Sequence, residues 1–163
     1  MAGEVSTAGI AIKYAPEATA GTRPTTGYKA KATGATLNIA DYVTGINGLG
    51  AEYEQYEVTS LSETQRHRFI PGLMGNDGNV SLNANINKTS RTDWGLIVSE
   101  YEELADSGKA LWFEFTLPND DQSLFIRAIP CPMNFPDVEV AQAVQGAIQL
   151  IENQYAGWAD KST

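Results

Sequence analysis

The chain has 163 residues, of which 42% are apolar and 19% charged, which is typical of one soluble globular domain and argues against a fibrous or disordered protein. Twenty acids against eleven bases give a formal net charge of −9. Because surfaces that grip phosphate backbones concentrate Lys and Arg, this balance excludes a DNA clamp.

The sequence offers little for metal, redox or membrane chemistry. One cysteine, Cys131, and one histidine, His67, form neither an internal disulfide nor a zinc-binding spacing. The N-terminal residues lack the apolar run of a secretory signal, and no run approaches the roughly 20 apolar residues of a membrane span. We therefore expect no cofactor, no structural metal and no membrane contact.

Residues 1–36 are rich in Ala, Thr and Gly and have neither helical nor strand periodicity. This pattern predicts an extended N-terminal arm that contributes little to the core and that a partner subunit could order. Apolar residues for docking are present at Ile10, Ile12, Tyr14 and Tyr28. The predicted domain spans 37–152, followed by a C-terminal tail, 153–163.

The first part of the predicted domain contains turns, a short strand and a long loop. Gly45, Gly48 and Gly50 indicate turns or bulges, and the residues after them exclude a phosphate-binding loop. A short strand is predicted at 56–59, followed by a loop over 60–78 that contains several apolar residues. Loops this long are uncommon unless functional or disordered, so we expect another subunit to cover it.

The remaining pattern alternates strands with one helix. Apolar residues at every second position predict a strand over 80–86, and Ser90 with Asp93 predicts a capping box that opens a helix over 91–106. Gly108 fits a left-handed helix cap. Further strands are predicted at 110–117 and 123–129, which form a hairpin, and at 138–151, as one long strand or a strand pair interrupted near Gly146.

About six strands and one helix predict a mainly β fold, namely an antiparallel β-sandwich or small barrel with a flanking helix. The helix carries acids near its C-terminal end, where the helix dipole disfavours them. Two interpretations stay open for them, a solvated face that limits aggregation and an acidic patch that meets a basic partner. The acids are Glu100, Glu102, Glu103 and Asp106.

Segments 48–50, 56–64, 66–73 and 78–82 resemble the major tail tube proteins of long, non-contractile-tailed bacteriophages. The resemblance covers roughly 37–152 and implies a structural virion protein that self-assembles into hexameric rings, stacked into a tail tube that carries DNA. It implies partners among other tail proteins, such as the tape measure, terminator and distal tail proteins. It also implies assembly in the host cytoplasm and a place in the virion tail. The same fold serves type VI secretion tubes and minor tail or baseplate proteins.

In this family a long loop reaches toward the adjacent ring, and here that role falls on about 57–76. The alternative is a loop packed locally within its own chain. Forked arginine donors beside apolar residues suit an interface core. The predicted contact residues are Glu57, Thr59, Leu61, Arg66, His67, Arg68, Phe69, Ile70, Pro71 and Leu73.

The excess of acidic over basic residues suggests a negatively charged lumen that repels DNA over a Debye length of ~8 Å. Ring closure would also remove exposed strand edges. The candidates for lumen-facing acidic or polar residues are Glu114, Glu139, Gln142 and Gln145.

Two other function classes compete with a tube subunit. One is a monomeric β-barrel that binds a small ligand in an apolar cavity, and the other is a hydrolase that uses a carboxylate pair such as Glu52 and Glu54. No nucleophile, base or metal pattern supports catalysis, so we expect no enzyme activity.

Overall fold

The computed structural model describes residues 10–49, 52–57, 69–75, 79–118, 120–133, 135 and 144–162. Within these ranges the chain forms eight strands and two helices. The strands are β1 (Ala11–Pro16), β2 (Val43–Asn47), β3 (Glu52–Glu57), β4 (Phe69–Gly75), β5 (Asn79–Asn85), β6 (Leu111–Thr116), β7 (Gln122–Pro130) and β8 (Gln145–Asp160). The helices are α1 (Ile39–Tyr42) and α2 (Lys88–Ala105).

Six strands form one antiparallel sheet in the order β1-β6-β7-β8-β5-β2, and β3 and β4 form a separate two-stranded sheet. The predicted mainly β fold with a flanking helix is confirmed, as is the hairpin of β6 and β7. Strand β5 follows the predicted alternation, because Val80, Leu82 and Ala84 are all fully buried.

The core lies between one face of the six-stranded sheet and α2. Side chains line up across neighbouring strands, as in the row Ile12, Phe115 and Leu124, in which each residue pairs with the next. Trp94 of α2 is fully buried against this face, and its indole nitrogen donates a hydrogen bond to the Cys131 carbonyl oxygen at 2.7 Å. Burial of these large side chains is the main stabilising contribution.

The N-terminal region contributes more to the core than its composition predicts. Ala11–Pro16 is a strand, β1, that pairs with β6, and Ile12 and Tyr14 are buried. The expectation of a small core contribution was therefore wrong. Six residues with one alternating apolar face suffice for an edge strand, and that signal is weak beside the Gly- and Thr-rich residues after it. At the other end, β8 continues to Asp160. The sheet therefore extends beyond both boundaries of the predicted domain, residues 37 and 152.

Helix α2 begins earlier than the predicted residue 91. Asn87 is its N-cap, and its side-chain oxygen accepts a hydrogen bond from the Ser90 backbone N–H at 2.9 Å, while the Ser90 hydroxyl accepts one from the Asn87 N–H at 3.0 Å. The capping box predicted for Ser90 and Asp93 was therefore wrong, because the box lies three residues earlier, at Asn87 and Ser90. The helix ends near Gly108, whose φ of 72° is the left-handed conformation predicted for it.

The segment 60–78 is not a loop throughout. Residues 69–75 form β4, which pairs antiparallel with β3 from Glu57↔Phe69 to Glu52↔Gly75. A β-bulge lies between the pairs Tyr53↔Met74 and Gln55↔Pro71 and shifts the register there.

Candidate assembly surfaces

The predicted contact residues fall into two groups. Glu57 is the last residue of β3, and Phe69, Ile70, Pro71 and Leu73 belong to β4. The others lie outside the described residues. These are Thr59, Leu61, Arg66, His67 and Arg68.

We call β3 and β4 together the ribbon. Among the described residues its two strands pack chiefly on each other, and the ribbon joins no strand of the six-stranded sheet. An isolated two-stranded hairpin is marginally stable in water. The ribbon also carries aromatic and aliphatic residues, with Tyr53 opposite Met74 and Tyr56 opposite Ile70. A ribbon of this composition would be more stable if a further surface covered it.

The sheet face opposite the core is divided into two halves. Over β6 and β7 it is covered by residues 17–28, which we call the strap. Arg23 of the strap places its guanidinium 4.4 Å from the centre of the Phe125 ring, and the Tyr28 ring lies 5.5 Å from the same ring. Burial raises the pKa of Tyr28 to about 12, although the positive charge of Arg23 opposes this shift.

Three buried carboxylates fasten segments outside the strands to the fold. Glu17 accepts hydrogen bonds from Arg127 and from the Ala110 N–H. Asp93 accepts bonds from two backbone N–H groups, those of Thr36 at 3.2 Å and Leu37 at 2.7 Å. The carboxylate of Glu114 likewise accepts bonds from the backbone and hydroxyl of Ser162. These bonds give each buried carboxylate the hydrogen-bond partners that offset its loss of hydration.

The four lumen candidates are therefore placed differently from one another. Glu114 is 1% exposed and bonded to Ser162, so in the single chain it does not face solvent as a lumen residue must. Gln145 is exposed on β8 and donates a hydrogen bond to the Asn85 side-chain oxygen at 3.0 Å. Glu139 and Gln142 lie outside the described residues.

The second half of the sheet face opposite the core lies over β2, β5 and β8 and is not covered by the strap. We call it the amide face. Its residues are cross-strand neighbours, since Ser81 pairs with Gln149, Asn83 with Ala147, and Asn85 with Gln145. Their side chains are exposed or half-buried. The full set is Asn47, Ser81, Asn83, Asn85, Gln145, Ala147 and Gln149.

An apolar groove of about 350 Å³ opens at one end of the core face. Trp158 of β8 lines it and is 52% exposed, which is unusual for so large an apolar side chain. Ile10 before β1 and Ile46 of β2 also line it, so residues near both edges of the sheet meet there. The groove could not be predicted from the sequence, because no local pattern distinguishes Trp158 from a core tryptophan.

The acidic end of α2 is partly neutralised. Glu100 forms an ion pair with Lys29 at 3.1 Å, whereas Glu102, Glu103 and Asp106 are exposed. No basic residue occupies the last turn of the helix to offset these acids.

Within the described residues, no three His, Cys, Asp or Glu side chains converge in a way that would hold a metal ion. None of the described helices has the length and apolar character needed to cross a membrane. The buried carboxylates Glu17, Asp93 and Glu114 bond to backbone, hydroxyl or arginine donors and so stabilise the fold.

Comparison with known proteins establishes the fold. No model of a known protein family matches the sequence, and no curated protein does. A chain in the cryo-EM structure of the anti-feeding prophage (AFP) baseplate, six-fold symmetrised, is similar over 99% of this chain and 98% of its own, with a TM-score of 0.57 and 10% identity. At that identity the similarity shows a shared fold.

A chain in the cryo-EM structure of the anti-feeding prophage cap, the tube-terminating cap, is 15% identical over 73% of this chain and 76% of its own. Its TM-score of 0.45 is too low to establish the same fold.

Proposed function

We propose that the chain is a structural subunit of a phage tail or of a phage-tail-like particle, and that its copies form six-membered rings stacked into a tube. The observation that carries the proposal is the fold similarity, which spans nearly the whole of this chain and of a chain from a six-fold symmetrised baseplate.

The sheet and the ribbon support assembly independently of that similarity. Strand β2 pairs with β5 on one side, and no described strand pairs with its other side. An unpaired edge is a template for another strand, and ring closure satisfies it. Among the described residues the two strands of the ribbon contact chiefly each other, so a neighbouring ring is a suitable surface for the ribbon.

The proposed tube carries DNA through its lumen without specific binding, performs no catalysis, and is found in the particle after assembly in the host cytoplasm. Other tail proteins would cap and measure it. The second candidate is a ring of a baseplate or another minor tail protein, and the baseplate origin of the similar chain favours it. A type VI secretion tube is a third form of the same assembly.

Negative-stain electron microscopy of concentrated protein, with light scattering across a dilution series, tests these proposals. Hollow filaments support a tube, and single rings that do not stack support a baseplate or minor tail role. A monomer at every concentration would contradict both and would favour a ligand-binding module, for which the groove beside Trp158 is the place to look.

A further inference from the structure

We propose that the amide face lines the lumen of the assembled tube, and that this lining is uncharged. The inference rests on the proposed function, because a lumen exists only in a closed ring or tube. It names the surface that passing DNA meets and the chemistry of that surface.

The strand segments that build the amide face contain no charged residue, although β8 carries Glu152 and Asp160 farther along the chain. Segments 43–47, 79–85 and 145–151 read VTGIN, NVSLNAN and QGAIQLI, in a chain that carries 20 acids and 11 bases. Other strands do carry charge, for β3 has Glu52, Glu54 and Glu57. The neutrality therefore belongs to this part of the sheet and is not a consequence of the overall composition.

The fold indicates which face of the sheet points inward. The opposite face of β2, β5 and β8 packs into the core with α2. When sheets join edge to edge around an axis, the inside has the least room, so the layer that carries a helix lies outside. The amide face, which carries neither helix nor strap, then lies inside.

The side chains of the amide face suit contact with water rather than with another subunit. Interface cores are enriched in aromatic residues, and the amide face has none. One polar pair of this face already bonds within the sheet, since Gln145 donates a hydrogen bond to the Asn85 side-chain oxygen. Ile151, 45% exposed where β8 pairs with both β5 and β7, is the apolar exception.

A neutral lining changes the reason why DNA passes without binding. Phosphate backbones bind surfaces that supply Lys and Arg, and acidic surfaces repel them over about a Debye length, ~8 Å. Amides and hydroxyls do neither at long range. The amide face therefore neither holds nor repels DNA, and the exposed acids Glu102, Glu103 and Asp106 belong to the helix layer outside.

Cysteine labelling tests the inward position. In a Cys131→Ser background, Asn83→Cys places a thiol on the amide face, and Glu102→Cys places one on the exposed side of α2 as a matched control. Each variant is treated, as dilute monomer and as assembled particle, with N-ethylmaleimide and with a maleimide coupled to a folded carrier protein too large to enter a tube.

We expect N83C to react with both reagents as a monomer and to lose reaction with the large one on assembly, while E102C keeps both. Equal labelling of N83C by the large reagent before and after assembly would place the amide face outside. Loss of reaction with both reagents would place it in a subunit contact. Either result overturns the inference and leaves the proposed function standing, whereas a chain that never assembles overturns both.

Discussion

The Glu17 carboxylate, 3% exposed, accepts a hydrogen bond from the Arg127 guanidinium across the strap-covered half of the sheet. This pair joins the end of β1 to the middle of β7. The same carboxylate bonds to the Ala110 N–H, and Arg127 also donates to the Gly108 carbonyl oxygen at 3.0 Å. The two residues thus connect the strap, the helix cap and the sheet.

Glu17→Gln should destabilise the fold, because it leaves the partly buried Arg127 charge without its counter-ion. The expected loss in free energy of unfolding is about 3 kcal/mol, measured by urea denaturation. Glu17→Gln combined with Arg127→Met should recover part of that loss, since no buried charge remains. A double variant no more stable than E17Q would show that the pairing is not the source of the effect.

Asp93→Asn should weaken the attachment of residues 36–37 to α2. An amide oxygen accepts less strongly than a carboxylate, and its NH₂ group opposes the two N–H donors of Thr36 and Leu37. We expect a loss of about 1–3 kcal/mol in the free energy of unfolding. Glu102→Gln, an equivalent change at an exposed site of the same helix, is the control, and an equal effect there would refute the prediction.

Alkaline pH should destabilise the strap through Tyr28. Burial raises its pKa from 10.0 to about 12, so the folded state favours the neutral phenol. The stabilising contribution is complete below pH 10 and is lost as the pH rises through about 12. Burial also raises the pKa values of Tyr14 and Tyr42, which act in the same direction.

To test this assignment, the free energy of unfolding is measured for the unchanged chain and for Tyr28→Phe. The measurements run from about pH 9 to about pH 12, which spans the ordinary and the shifted tyrosine pKa. The variant loses the hydrogen bond from Tyr28 to the Pro24 carbonyl oxygen, so it should be less stable at neutral pH. Its stability should also fall less steeply with pH. Parallel curves would assign the alkaline loss to other groups.

Phe69→Ala should reduce stacking between rings while leaving the six-stranded sheet folded. Residue 69 lies in the ribbon, which is separate from that sheet, and removing a large aromatic side chain from an interface core commonly costs more than about 2 kcal/mol of association. Filament length and critical concentration measure the effect, with circular dichroism as the folding check. Phe69→Leu keeps the apolar volume and should assemble; tubes of normal length from F69A would remove residue 69 from the contact.

Asn83→Lys should make assembled particles retain short single-stranded DNA, because it adds one cation per subunit to the neutral amide face. Retention should fall as salt is raised, since it depends on counterion release. Glu102→Lys adds a cation on the helix layer and is the matched control. Equal DNA retention by both variants after digestion of external DNA with a nuclease would contradict a lumen position for Asn83.

Much of the fold follows from short-range signals. The alternation in β5 predicts its buried face, and the β6–β7 hairpin is visible in aromatic and β-branched residues around a turn. The helix is visible in its apolar spacing, although its start was misplaced because Ser90 and Asp93 mimic the box that Asn87 and Ser90 form. The exclusion of phosphate-gripping surfaces, internal disulfides and zinc-ligand spacings also depends on residue counts and spacing alone.

Only the tertiary structure decided which polar residues share a surface. Glu114 looked like a lumen acid, yet packing buries it beside Ser162, 48 positions later in the chain. The strap pairs Glu17 with Arg127, and the amide face joins β2, β5 and β8, which are far apart in sequence. Alternation along a strand shows that two faces differ, but what covers each face depends on strand order and long-range packing, which local sequence does not encode.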